Sequence, residues 1–134
     1  MAYNLPRRFS ISIDGKPVAM PEGQVEERSQ AFSVENGGGR PAIFEIQDDH
    51  LVSGDLVLGR SMVEPMIAAP KPVIWCHKEN MRQLQPVQVE NRGNGPEIRF
   101  RGEKLAYMSG LLCSPMFHDE EFNSQKVEVR PVPF

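Results

Sequence analysis

One arrangement recurs three times along this chain: apolar residues at relative positions 0, 2 and 7, with Asp or Gly in the polar break between them. The copies run from Ile11 through Ile13 to Val18, from Phe44 through Ile46 to Leu51, and from Ile98 through Phe100 to Leu105. Residues two apart on a strand share a face, so the first two apolar side chains point the same way. The Gly/Asp-rich break then reverses the chain and brings the third back alongside them. An antiparallel hairpin satisfies this pattern, and three of them predict an all-β protein. Because the copies begin unevenly, at residues 11, 44 and 98, a β-trefoil is one reading, and a β-sandwich or a barrel are others.

The chain of 134 residues has the length of one domain. Residues 1–8 read as an N-terminal arm and 9–134 as a single all-β domain of about nine to eleven short antiparallel strands, with turn signals about every 8–12 residues. Eleven Gly and twelve Pro supply the punctuation such a fold needs. Asp14-Gly15 predicts a tight hairpin, Ser53-Gly54-Asp55 a bulge or a further turn, and Asn36-Gly37-Gly38-Gly39 a loop. Ile98 to Phe100 and Leu105 to Cys113 are expected to form a third hairpin, and Lys126 to Val132 a closing strand. Ala31 to Glu35 alternates as a strand, and Gln24 to Gln30 is the best stretch for a short helix. Threonine is absent, so strand propensity rests on Val, Ile and Phe.

Net charge is −3, with no basic stripe of the kind that displaces counterions from nucleic acid, so nucleic-acid binding is not expected. No apolar run approaches the ~20 residues of a membrane span. The N-terminal residues lack the apolar core of a secretory signal. The expectation is therefore a cytoplasmic or unconventionally secreted protein, unless a leader has been removed. No phosphate loop, dinucleotide fingerprint, nucleophile elbow or zinc-protease helix occurs, so no catalytic residue, cofactor or metal site is assigned.

Several residues stand out as candidates for binding. Trp75 and His77 share one face of a predicted strand over Val73 to His77, with Cys76 on the other. That geometry disfavours a Cys–His dyad and suggests one core face and one solvated face. His50 follows Asp48-Asp49 in a turn, where the acids serve backbone groups. His118 and Asp119, between Phe117 and Phe122, form the loop best suited to touch a partner. Met62, Met66, Met108 and Met116 lie in apolar stretches that would line a pocket for a hydrophobic ligand or pack as ordinary core. Cys76 and Cys113 are either a disulfide, worth on the order of 3–4 kcal/mol, or two buried free thiols.

The stretch Phe44-Glu-Ile46-Gln-Asp48-Asp-His-Leu51, followed by Leu105-Ala-Tyr107-Met-Ser-Gly110-Leu-Leu-Cys113, resembles small fungal cell-surface proteins related to the phialide-development cell-wall protein. Those proteins pair a Phe-x-Leu-x-Asp-Gly-x-Leu hairpin with a later strand ending in Cys. The resemblance covers about residues 42–113, and Asp49 and His50 depart from it where Gly is usual. It implies a noncatalytic surface protein and carries over no functional residue. The expected function is loop-mediated, lectin-like recognition of a glycan, a wall polymer or a protein. The alternative is a small β-barrel that binds or isomerises a hydrophobic small molecule. Self-association into a homodimer through edge strands is a third expectation.

Overall fold

Four two-residue turns set the architecture. The computed structural model describes residues 7–21, 29–37, 39–64, 71–92, 95–100, 103–115 and 124–132. In chain order the first strands are β1 (Phe9–Ile13), β2 (Lys16–Pro17), β3 (Ser29–Gln30), β4 (Glu45–Gln47), β5 (His50–Ser53), β6 (Leu56–Gly59) and β7 (Lys71–Pro72). They are followed by β8 (Ile74–His77), β9 (Gln88–Arg92), β10 (Gly95–Arg99), β11 (Ala106–Met108), β12 (Leu111–Ser114) and β13 (Val127–Pro131). The strands number thirteen among the described residues, against the nine to eleven expected. The surplus comes from the two-residue ladders β2, β3 and β7.

β1 turns into β2 over Asp14 and Gly15, β4 into β5 over Asp48 and Asp49, and β11 into β12 over Ser109 and Gly110. All six of these turn residues have positive φ, between 50° and 80°, as type I′ turns require to match strand twist. Between β5 and β6 only Gly54 is positive, at 62°, the pattern of a II′ turn. The Gly54 break is therefore a turn rather than a bulge.

Pairing gives four antiparallel sheets, ordered β13-β1-β2, β10-β9, β11-β12-β7 and β3-β8-β6-β5-β4. No closed barrel forms among them. The third expected hairpin is not the one formed. β10 pairs with β9, Phe100 closes a single bridge to Glu103, and Ala106–Met108 pairs with Leu111–Ser114. Ser109-Gly110 supplied a turn inside what reads as one long strand. Glu90 and Glu97 sit opposite each other in the β9–β10 pair, and Arg99 lies 3.2 and 2.7 Å from them, offsetting a like-charge contact.

Among the described residues, helix is confined to one turn, α1 (Val34–Gly37), and to 3₁₀ turns over Lys78–Gln83. Val34 and Glu35 are thus helical rather than the end of a strand, while Phe32 and Ser33 make only isolated bridges. Of the helix expected over Gln24 to Gln30, Ser29 and Gln30 form β3 and the rest lies outside the described residues.

The recurrent phrase explains the main core. Ile11, Ile13, Val18, Phe44, Leu51, Ile98, Phe100 and Leu105 are all buried in one cluster, and Ile46 packs against it. The copies sit in three different sheets, so the phrase is a shared hairpin device rather than a set of equivalent repeats. Trp75 stacks on Phe44 at 5.7 Å between ring centroids, with Phe9 beyond it at 6.2 Å. Burying such rings and branched side chains contributes about 1.5–3 kcal/mol each before entropy is charged against it.

The middle strands β5, β6 and β8 of the five-stranded sheet are buried on both faces, which corrects the expectation of one solvated face around Trp75 and Cys76. Leu51, Leu58 and Trp75 face the main core. Their strand neighbours Val52, Val57 and Cys76 form a second cluster with Leu84, joined by Ile74 and Met81. The 3₁₀ turns that follow β8 fold back to cover this second face.

Side-chain amides tie the sheets together. Gln30 Nε2 donates to Leu112 O at 2.8 Å and to Val73 O at 3.3 Å. Gln125 copies a strand partner, accepting from Tyr107 N at 2.7 Å and donating to Tyr107 O at 2.8 Å. Burial pushes the Tyr107 phenol well up, and its hydroxyl donates to Lys16 O at 3.1 Å.

Candidate functional site

Among the described residues, those singled out in the sequence do not come together. Trp75 is wholly inside the main core. His77 lies half-buried at the end of β8, opposite Leu56. His50 is an anchor: Nδ1 is 2.8 Å from Asp48 O and Nε2 is 3.1 Å from Leu84 O, so both ring nitrogens face backbone carbonyls. Met62 is exposed and Met108 half-buried on β11. Met66, Met116, His118 and Asp119 lie outside the described residues. Cys76 and Cys113 are buried free thiols in this structure. Cys76 sits in the second cluster with its thiol 3.9 Å from Asn80 O, whereas Cys113 pairs with Ala106 and Pro72 in another sheet. Among the described residues no group of three His, Cys, Asp or Glu is placed to hold a metal.

What the fold does build is a cleft of about 510 Å³ on the outer face of the five-stranded sheet. Its floor follows from alternation. Ala42 and Phe44 point into the core and Ile46 packs against it, so Pro41, Ile43, Glu45 and Gln47 point out, and all four line the cleft. Val52, directly opposite Glu45, lines it from β5 and at the same time belongs to the second cluster. Met20 makes a wall, held by its N–H to Arg40 O at 2.8 Å and by the Ser53 hydroxyl donating to its sulfur at 3.3 Å.

The polar part is organised around Glu45. Gln47 Nε2 donates to one carboxylate oxygen at 3.0 Å and Arg8 Nε to the other at 2.9 Å. Those two bonds, with the charges of Arg8 and Arg7, hold the Glu45 carboxyl below its ordinary value. Arg8 is placed by the β1 ladder, since Phe9 and Phe44 exchange N–H···O bonds of 3.1 and 2.7 Å. Arg40, which also lines the cleft, is exposed and makes no ion pair among the described residues.

A chain of single bridges runs from Pro41 of the cleft into the neighbouring strands. Ala19 bridges Pro41, and the Val18–Ser33 bridge sets Ala19 opposite Phe32, which itself bridges Leu111. Residues directly opposite in a ladder share a face. Phe32 is 40% exposed and Ile43 45%, and of these two Ile43 lines the cleft beside the charged network. Sequence reading missed this cleft. The alternation of Ala42 to Gln47 was visible, but not that its outward face would stay uncovered or that Arg8 and Arg40 would meet there.

A second polar cluster lies inside the protein. Arg60 forms a fork with Glu64 (Nε to Oε2 3.1 Å, Nη2 to Oε1 2.8 Å) and reaches Glu103 Oε1 at 2.9 Å. Gln85 donates to Ser61 O at 2.8 Å and to Glu64 Oε1 at 3.3 Å. Burial opposes ionisation of both partners. The hydrogen bonds and opposite charges outweigh it, raising Arg60 and lowering Glu64. The bonds that Arg60 and Glu64 make on every side mark a structural clamp, in which Gln85 Oε1 is buried without a hydrogen-bond partner among the described residues.

No protein-family model, no curated protein and no solved structure matches this chain. The class of protein defined by the fold and the cleft is an all-β hairpin protein with an open, mixed polar and apolar groove.

Proposed function

We propose that this is a noncatalytic binding protein that holds an oligosaccharide along the outward face of residues 41–47. The observation that carries the reading is the composition of that face: exposed Pro41 and Ile43 beside the bonded Arg8–Glu45–Gln47 array. Sugars present C–H faces that cover apolar side chains and hydroxyl rims that both donate and accept. Glu45 accepts, while Gln47 and Arg40 donate. The cleft volume of about 510 Å³ falls inside the ~300–1,000 Å³ of small-ligand sites. At ~3.3 Å per residue, Pro41 to Gln47 spans about 20 Å, room for several sugar units in a row.

A hydrophobic metabolite fits this lining less well, and neither Met62 nor Met108 is among the lining residues. The test is a glycan array followed by calorimetry with the wild type and Ile43→Asp. Ile43 is exposed, so the substitution leaves the core intact. Binding that is lost in Ile43→Asp supports the proposal; an array silent across neutral and charged glycans rejects it.

A further inference from the structure

We infer that the ligand of this cleft is an oxyanion-bearing sugar, carrying a carboxylate or a sulfate, and that Arg40 is the residue that selects it; this rests on the oligosaccharide reading above. The whole chain is acidic, with a net charge of −3, yet the cleft reverses that sign. Arg8 and Arg40 line it, Arg7 lies close enough for its charge to act on Glu45, and Glu45 is the one acidic lining residue among the described residues. Both Glu45 oxygens already accept bonds, one from Gln47 and one from Arg8. Glu45 is thereby tied to its neighbours, and Arg40 is left exposed without an ion pair among the described residues.

The position of Arg40 suits recognition. Its backbone is fixed, since its carbonyl accepts from Met20 N at 2.8 Å and the next residue bridges Ala19. The guanidinium therefore starts from a rigid edge beside Pro41 and Ile43. A planar fork of donors matches a carboxylate or sulfate in a way that a lysine would not. A ring laid on Pro41 and Ile43 would bring its charged substituent to that fork, while its hydroxyls reach Gln47 and Glu45.

The experiment measures affinity for three matched oligosaccharides of equal length: neutral, uronate-bearing and sulfated. Each is titrated against the wild type, Arg40→Gln and Arg82→Gln. Arg82 is exposed on the 3₁₀ turns and absent from the cleft lining, so its loss controls for net charge. The expected result is that an anionic oligosaccharide binds about tenfold tighter than the neutral one. Arg40→Gln should erase that preference and Arg82→Gln retain it. The preference should also shrink as salt rises. The uronate and sulfate arms identify the oxyanion. If neutral and anionic sugars bind alike, or Arg40→Gln keeps the preference, the inference fails while the oligosaccharide reading stands. If no sugar of any charge binds, both fail.

Discussion

Replacing Arg60 by Met removes the charge at the centre of the interior clamp while keeping most of the stem volume. The Arg60 side chain is 3% exposed, and it donates to both Glu64 oxygens, to Glu103 and to Phe100 O. Glu64, 12% exposed, is left with Gln85 Nε2 at 3.3 Å. Breaking a buried pair from one side typically costs about 3–5 kcal/mol. Glu103 keeps contact with water, so the lower end applies, about 3 kcal/mol at pH 7. For a chain of this size that corresponds to a fall in Tm of about 10–15 °C.

Urea unfolding reports the loss directly, read through the fluorescence of Trp75, the single tryptophan and a core residue. The pH dependence supplies the stricter test. In the wild type the Glu64 carboxyl titrates below the ordinary value of 4.5 despite burial, because Arg60 bonds it. A carboxyl lowered in the folded state contributes stability above its unfolded pKa and loses it as pH falls through the folded one. Without Arg60, burial is opposed by the weaker pull of the Gln85 hydrogen bond and the Lys71 charge, so the folded pKa rises and the variant loses less stability than the wild type as pH falls. The gap between the two proteins should therefore close from about 3 kcal/mol at pH 7 to under about 1 kcal/mol in the acid range below the ordinary carboxyl value. A loss below about 1 kcal/mol at pH 7, or one that does not change with pH, would refute the account.

Two further outcomes are expected. Gly15→Ala meets no atom within 4 Å but must adopt a φ of +80°. It should lower stability by about 1–2 kcal/mol through backbone strain alone, and an unchanged urea midpoint would contradict this. Cys76 and Cys113, being buried free thiols, should resist alkylation in the native protein and both react in denaturant without reductant; intact mass showing two missing hydrogens would instead reveal a disulfide.

The hairpin content was legible because its signals are local. Asp14-Gly15 adjoins the strands it connects, and the phrase shared by Ile11, Phe44 and Ile98 marks core positions through simple alternation. What escaped depends on distant partners. Ile98 pairs with Val89 rather than with a later strand, because Ser109-Gly110 turns the following segment back on itself. Alternation around Trp75 and Cys76 suggested one solvated face, but the 3₁₀ turns over Lys78–Gln83 cover the face that holds Cys76. The cleft was the least legible feature. It depends on the Phe9–Phe44 bridge bringing Arg8 to Glu45 from far along the chain, and on Ile43 standing 45% exposed beside them.

The ladder from Phe9 opposite Pro131 to Ile13 opposite Val127 joins the first strand among the described residues to the last. During synthesis on a ribosome, Ile11 and Ile13 must wait until Val127 to Pro131 have been made before their sheet is completed. Non-local pairing of this kind makes folding slow. A nascent chain halted before Val127 would expose one edge of β1, open to pairing with a neighbouring copy.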